Sequence, residues 1–223
     1  MKRLQTRPLL RTSGFAVILC YLNFTALSWL LYPSEFSPMT HYLSDLGNYI
    51  VTPYGAIFYN LGCIFTGLAL IPFFFGFRIW YKPQKRVNYV FAIGEILGII
   101  SGVALVMIGV FSEDQGQLHM IASSIFFLIN FFTLFILSIA FFLHDRSFKL
   151  IPVYGIIFDV STLILSFQIG GPIVEWFTVF GSLFFVLLVI LDTHRLVKYF
   201  SKTTRFNTEQ KHYNTANSGV LSS

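Results

Sequence analysis

Histidine, serine and acidic residues gather twice in this chain, each time in a short polar stretch between long apolar runs. The first stretch is Ser37-Pro38-Met39-Thr40-His41-Tyr42-Leu43-Ser44-Asp45-Leu46-Gly47. His41 and Asp45 are four apart, so on a helix their side chains meet, with Ser44 beside them. The second stretch is Ser112-Glu113-Asp114-Gln115-Gly116-Gln117-Leu118-His119. Beyond it Gln115, His119, Ser123 and Asn130 recur at spacings of four, four and seven, which draws one polar stripe along a helix. Such side chains can bind a divalent metal or activate a water, the chemistry of hydrolysis. Ser44, Asp45, Asp114 and His119 are the candidate catalytic residues; His41, Asp45, Asp114 and His119 are the candidate metal ligands. No spacing among them forms a tight zinc signature, so the cofactor is left between a divalent metal and none. The plainer reading is also open: wet helix faces, with Ser112 and Gln115 forming a capping box that accounts for Glu113 and Asp114 in a first turn.

The elements that must hold these residues follow from local signals. Ser37 suits an N-cap, Pro38 the first helical position and Gly47 the position after the last turn. Between them Met39, Tyr42, Leu43 and Leu46 fall on one apolar stripe, which predicts a short interfacial helix over 38–46. Its polar face carries Thr40, His41, Ser44 and Asp45, and Asp45 would sit in a last turn, where the helix dipole disfavours a carboxylate. The desolvation cost of polar groups near lipid predicts that Ser44 or Asp45 reaches Asp114 or His119, with Asn60 lining the same cavity.

Two more acids lie inside apolar runs with no basic neighbour in sequence, Glu95 and Asp159. At about 1.5 Å per residue both fall at a depth of about 10–12 Å, so they are expected to approach each other or a common cavity. Glu95 neighbours Gly94, Gly98 and Gly102, a small-residue stripe that permits close helix contact. Asp159 heads a stripe with Thr162 and Ser166. A hydrogen-bonded structural pair and a proton or cation relay both fit these acids.

Composition fixes the setting. Hydrophobic residues make up 55% of 223, charged residues 11%, and there are 27 Phe and 11 Tyr, too many to hide in a core of this size. Six runs long enough to span a bilayer, at about 20 residues each, lie at 13–32, 55–79, 88–111, 117–143, 151–169 and 173–194. The first outlasts a signal-peptide core and no Ala-x-Ala site follows it, so it reads as a retained helix. All 15 Lys and Arg fall before the first run, around the second connection (with Arg78 at the very end of the second run), in the fourth connection, or after the sixth. By the positive-inside rule this is a multi-pass protein of the cell membrane with both termini cytoplasmic. The same segregation explains the net charge of +5 by topology and anionic lipid, with no role for nucleic acid. The absence of Lys from the runs excludes a retinal Schiff base, and the absence of any Arg series within them excludes a voltage-sensing ladder. Cys20 and Cys63 fall mid-run and read as small apolar residues. The fold expected is an all-α, six-helix transmembrane bundle over 1–198, followed by a polar disordered tail over 199–223.

The runs His41-Tyr-Leu-Ser-Asp-Leu-Gly47, Phe58-Tyr-Asn60-Leu-Gly62 and Gly109-Val-Phe-Ser-Glu-Asp-Gln-Gly116 with His119 resemble the prokaryotic membrane family catalogued as domain of unknown function 998. The resemblance implies a six-helix bundle with matching polar positions at Ser44, Asp45, Asn60, Glu113, Asp114 and His119. It supplies no activity, and Ser112 stands where that family's proline is expected.

Three functions are therefore expected to compete. One is an outer-face polar site, for metal-assisted hydrolysis or for binding a lipid or small molecule, built on Ser44, Asp45, Asp114 and His119. Another is a proton- or cation-coupled carrier using Glu95 and Asp159. The third is a structural or assembly role, with Asn60 and Asn130 as buried polar scaffolding and the lipid bilayer as partner.

Overall fold

The computed structural model describes residues 9–82 and 86–199 in full and only the backbone of 2–8, 85 and 200–220. The expectation of a tail over 199–223 falls outside the fully described residues. Among the described residues six helices are long and apolar enough to cross a membrane: α1 (Lys2–Leu30), α2 (Pro53–Phe75), α3 (Lys85–Val110), α4 (Gln117–Leu143), α5 (Leu150–Gln168) and α6 (Pro172–Val220). This is an integral, multi-pass membrane protein with an all-α bundle, and the helices match the runs read from hydropathy to within a few residues at most ends. The reason is that lipid leaves no alternative: a backbone in hydrocarbon must satisfy its own hydrogen bonds. Large apolar side chains such as Leu30, Met120, Ile157 and Phe167 are exposed on the helix exteriors, where lipid would cover them.

Each helix packs on its chain neighbour, and α6 returns to α1. The glycine stripe of α3 works as expected. A Cβ at Gly94 would meet Leu137 of α4, one at Gly98 would meet Phe74 of α2, and Gly102 and Gly67 face each other backbone to backbone. At the end bearing the Lys and Arg side chains, a 3-10 helix (Gly76–Trp80) prolongs α2, and Phe77, Trp80, Phe91 and Phe141 interlock with ring centroids 5.0–6.3 Å apart. Trp80 Nε1 donates to Thr193 Oγ1 at 3.1 Å, which ties this cluster to α6. By contrast α5 is held more lightly. It meets α4 and α6 at far fewer places than α1 to α4 meet one another, and it is the least buried span.

The opposite end, called here the far end, carries the two polar stretches. The first does not form one continuous helix over 38–46. A turn at Ser37, whose carbonyl accepts from Thr40 N and His41 N, is followed by a 3-10 helix (Leu43–Gly47). Leu43 and Leu46 are fully buried beneath it while Met39 and Tyr42 are exposed, so half of the apolar stripe turns inward. Gly47 has no positive φ; it is small because Tyr59 and Asn60 lie where a side chain would go. The second stretch is likewise a 3-10 helix (Glu113–Gln115), and α4 starts only after Gly116, whose φ of 59° reverses the chain.

Candidate functional site

The break at Tyr42 has an identifiable cause 132 residues away. Glu175, in the first turn of α6, accepts from Leu43 N at 3.0 Å, and Trp176 Nε1 donates to the His41 carbonyl at 2.9 Å. The loop gives up helical hydrogen bonds to satisfy these groups. Asp45 thereby falls in the first turn of the new 3-10 helix, where its Oδ2 accepts from Tyr42 N at 2.8 Å. A carboxylate that looked misplaced at a helix C-terminus is a cap at an N-terminus.

Below this loop a cleft of about 880 Å³ opens between α4, α5 and α6. Ser44 and Asp45 of the loop, Glu113, and His119, Ser123 and Asn130 of α4 line it on one side. Asp159, Thr162 and Ser166 of α5 and Glu175 and Thr178 of α6 line it on the others. Ser44 and Asp45 of the first loop line the same cleft as His119 at the start of α4. Three of the four residues in the α4 stripe face it; Gln115, in the preceding 3-10 turn, is exposed. The α5 stripe faces it entire. Apolar residues, among them Met120, Leu128, Phe132 and Leu163, line its sides and are themselves exposed on the outside of the bundle.

His119 is 7% exposed, and its Nδ1 lies 2.7 Å from the Phe111 carbonyl. A carbonyl only accepts, so Nδ1 carries the hydrogen and Nε2 of the neutral ring keeps its lone pair. Burial raises the Asp45 carboxyl above the usual range, the Tyr42 N–H draws it back, and the charge of Glu113 adds to the rise. Asp159 is 2% exposed, and its Oδ2 has no hydrogen-bond partner.

Several expected residues lie elsewhere. Asp114 is turned away from the cleft and exposed, accepting from Tyr49 N at 3.2 Å, and Glu113 takes the position beside the cleft, where it accepts from the Asn48 side chain. Gly116, with φ of 59°, breaks the register between this 3-10 turn and α4, so the face read from the period of α4 does not extend to 113–115. For Asp114 the hydrogen bonds win: burial pushes its carboxyl up, but Ser112, Tyr49 N–H and its own backbone N–H hold it below the usual range. His41 stacks on Phe36 at 5.2 Å between centroids and pairs with Thr40 Oγ1 at 2.8 Å. Asn60 is not in the cleft; it is buried under the loop and donates to the Gly47 carbonyl at 3.0 Å. Asn130 donates to Ser182 Oγ at 3.0 Å. Among the described residues no three His, Cys, Asp or Glu are placed to hold a metal ion, so His41, Asp45, Asp114 and His119 do not form a ligand set.

Glu95 and Asp159 do not meet. Glu95 is bound by Arg78 Nε at 3.1 Å and by the Tyr81 hydroxyl at 3.0 Å, both delivered by the turn after α2, and it lines neither this cleft nor the cavity described next. A smaller cavity of about 70 Å³ lies between α1, α2, α3, α4 and α6. It shares Ser123, Phe127, Asn130 and Glu175 with the cleft.

The residue missed by sequence reasoning is Glu175. An acid in the first turn of a helix reads as dipole compensation, and only its burial against the first loop distinguishes it. Its signal was present but generic: an acid with no Lys or Arg near it, at the edge of an apolar run.

Residues 15–193 match the model of a family described as "Protein of unknown function (DUF998)". No curated protein and no solved structure matches the chain.

Proposed function

The chain belongs to the DUF998 family, and from the geometry above we propose that this membrane protein holds a lipid or other amphipathic small molecule in the cleft between α4, α5 and α6. The carrying observation is the cleft's division of character: polar groups of five segments converge at its far-end mouth and depth, while its flanks are apolar and continuous with the lipid-facing surface. Its volume of about 880 Å³ suits a ligand of drug or lipid-headgroup size, since such sites run to about 300–1,000 Å³. In this reading the basic end faces the cytoplasm of a cell membrane and the mouth faces the outer surface, in accord with the segregation of Lys and Arg. The test is native mass spectrometry of the full chain released from membranes. Wild type should retain an amphiphile, and Ser123→Trp, which fills the cleft floor, should lose it at unchanged thermal stability. Equal retention by both proteins would sink the idea.

Hydrolysis of the bound molecule is a second reading and rests on His119, whose Nδ1–H is engaged by the Phe111 carbonyl so that Nε2 is available as a base. It predicts that His119→Ala retains an intact molecule where wild type returns fragments; an intact molecule in both would remove it. A metal-assisted version lacks a gathered ligand set among the described residues. A coupled carrier built on Glu95 and Asp159 is disfavoured because Arg78 and Tyr81 already engage Glu95.

A further inference from the structure

The hydrogen-bond sense of the cleft narrows the chemistry of its occupant, granting that the cleft binds one. Its lining hydroxyls and amide have mostly committed their hydrogens. Ser166 Oγ donates to the Thr162 carbonyl at 2.7 Å, and Thr178 Oγ1 donates to the Val174 carbonyl at 2.7 Å. Asn130 Nδ2 is engaged by Ser182 Oγ, and the His119 Nδ1–H by the Phe111 carbonyl. Ser166, Thr178 and His119 thereby leave lone pairs, and Asn130 keeps its carbonyl oxygen and one amide hydrogen. Four carboxyl groups join them, from Asp45, Glu113, Asp159 and Glu175, while no Lys or Arg lines the cleft among the described residues. Ser44, Ser123, Thr162 and the Tyr42 hydroxyl can turn either way.

The acids alone would make no site, but Asp159 adds an independent observation. It is 2% exposed with a buried, unpartnered Oδ2, and it sits in the cleft wall one helical turn from Thr162, whose Oγ1 is also buried without a partner. A buried polar group without a partner carries the full desolvation penalty, so a ligand that supplies a donor gains it back.

We propose that the cleft recognises a protonated amine, as the head of an amphiphile whose chain lies along Met120, Leu128, Phe132 and Leu163. An alkylammonium offers three N–H donors and no acceptor, the complement of an acceptor-lined, acidic cavity. An anionic head meets four carboxyl groups and no cation. A neutral amide brings its own carbonyl against lone pairs. An Asp159 that kept its proton would instead donate, and would favour an acceptor head, so the ligand's preference decides between the two.

The experiment uses the full chain in phosphatidylcholine nanodiscs, with empty discs subtracted, and measures displacement of radiolabelled dodecylamine by four probes: dodecylamine, N-dodecylacetamide, lauric acid and butylamine. Dodecylamine should bind saturably, with the amide and the acid weaker by about tenfold or more, as loss of a charge-assisted hydrogen bond implies. Asp159→Asn should weaken the amine by a similar factor and leave the amide unchanged, with Glu175→Gln as a second variant should the first fail to fold. Lauric acid or the amide competing as well as the amine overturns the amine assignment and leaves the cleft reading standing. Absence of binding by every chain-bearing probe overturns the cleft reading itself. Butylamine competing as tightly as dodecylamine upholds the amine and assigns it to a free amine, which removes the chain from the proposal.

Discussion

Among the described residues the two ends of this bundle surround their carboxylates differently: with cations at the basic end, without them at the far end. At the basic end every buried acid is engaged by a donor from another segment. Glu95 takes Arg78 and Tyr81, and Asp192, 3% exposed, takes Arg195 Nε at 2.9 Å and Phe148 N at 2.7 Å. Around them Phe77, Trp80, Phe91 and Phe141 close the space. In the far half Asp45, Glu113, Asp159 and Glu175 face a cleft lined by no Lys or Arg among the described residues. Of these, Asp45, Glu113 and Glu175 accept from Tyr42 N, the Asn48 side chain and Leu43 N, with no cation, and Asp159 alone has an oxygen without a partner. An acid left unpartnered beside a cavity costs stability and persists for another reason. That difference is the physical basis for placing the site at one end and the scaffold at the other.

The comparison breaks first, and hardest, at Arg78. Removing it leaves the Glu95 carboxylate, 4% exposed, with the Tyr81 hydroxyl alone. Loss of one partner of a buried pair costs about 3–5 kcal/mol, and because the Arg78 side chain is itself 58% exposed, a loss of about 2–3 kcal/mol is expected. Equilibrium unfolding of Arg78→Ala in mixed micelles measures it, and a change below about 1 kcal/mol would place this pair among ordinary surface ion pairs.

Acid should act on the two ends with opposite sign. Burial beside Trp80 and Phe91, with Lys82 next, pushes the His144 imidazole down to about 4. Its Nδ1 accepts from Arg146 N, so protonation there would also break a hydrogen bond. The unfolded chain therefore binds more protons than the fold between the ordinary histidine value and about 4, and stability falls as pH drops through that window, by up to about 1.4 kcal/mol per pH unit. Asp45 at the far end is shifted up, so its contribution has the reverse sign: it is present at low pH and lost as pH rises through its folded value. Melting curves of wild type and His144→Gln from pH 7 to pH 4 should show the variant with a shallower fall; parallel curves would remove His144 as the cause.

A smaller effect sharpens the far-end side. Trp176→Phe deletes the Nε1–H that holds the His41 carbonyl while keeping an aromatic ring against Trp29 and Phe36. One hydrogen bond is worth about 1 kcal/mol, and amide exchange over 41–47 should accelerate by about fivefold. Unchanged exchange there would show that Glu175 alone holds the loop.

What the sequence made legible follows the range of each interaction. The six spans rest on run length and charge placement, which lipid reads directly, and they match the structure. The stripes His119-Ser123-Asn130 and Asp159-Thr162-Ser166 rest on helical period alone and do face one cleft. The first loop was legible as a polar element turned toward α4 but not as a 3-10 helix, because the donor geometry is imposed by Glu175 from the last helix. The roles of Glu113 and Asp114 were not legible either: Gly116 breaks the register between their 3-10 turn and α4, and residue 113 is the one that lines the cleft. Arg78 was counted as a topology marker, and nothing in its spacing of 17 from Glu95 says that a turn after α2 would bring the two together.

The smallest expected effect is the most informative, and it lies at Asp159. Asparagine keeps its shape and removes the charge. At the basic end the same exchange, Asp192→Asn, weakens the bonds to Arg195 and Phe148 N and should cost about 1–2 kcal/mol. At Asp159 no bond is lost, because Oδ2 has no partner, and a buried carboxyl without a cation gains nothing from its charge. Asp159→Asn should therefore lie within about 0.5 kcal/mol of wild type, or slightly above it. Pairing the two variants in one unfolding series makes the contrast internal, since both exchanges delete the same chemical group from a residue of similar exposure, 2% and 3%. A loss at Asp159 as large as that at Asp192 would mean that Asp159 has a structural partner after all, and the distinction between an engaged end and an open one would fail at the residue on which it most depends.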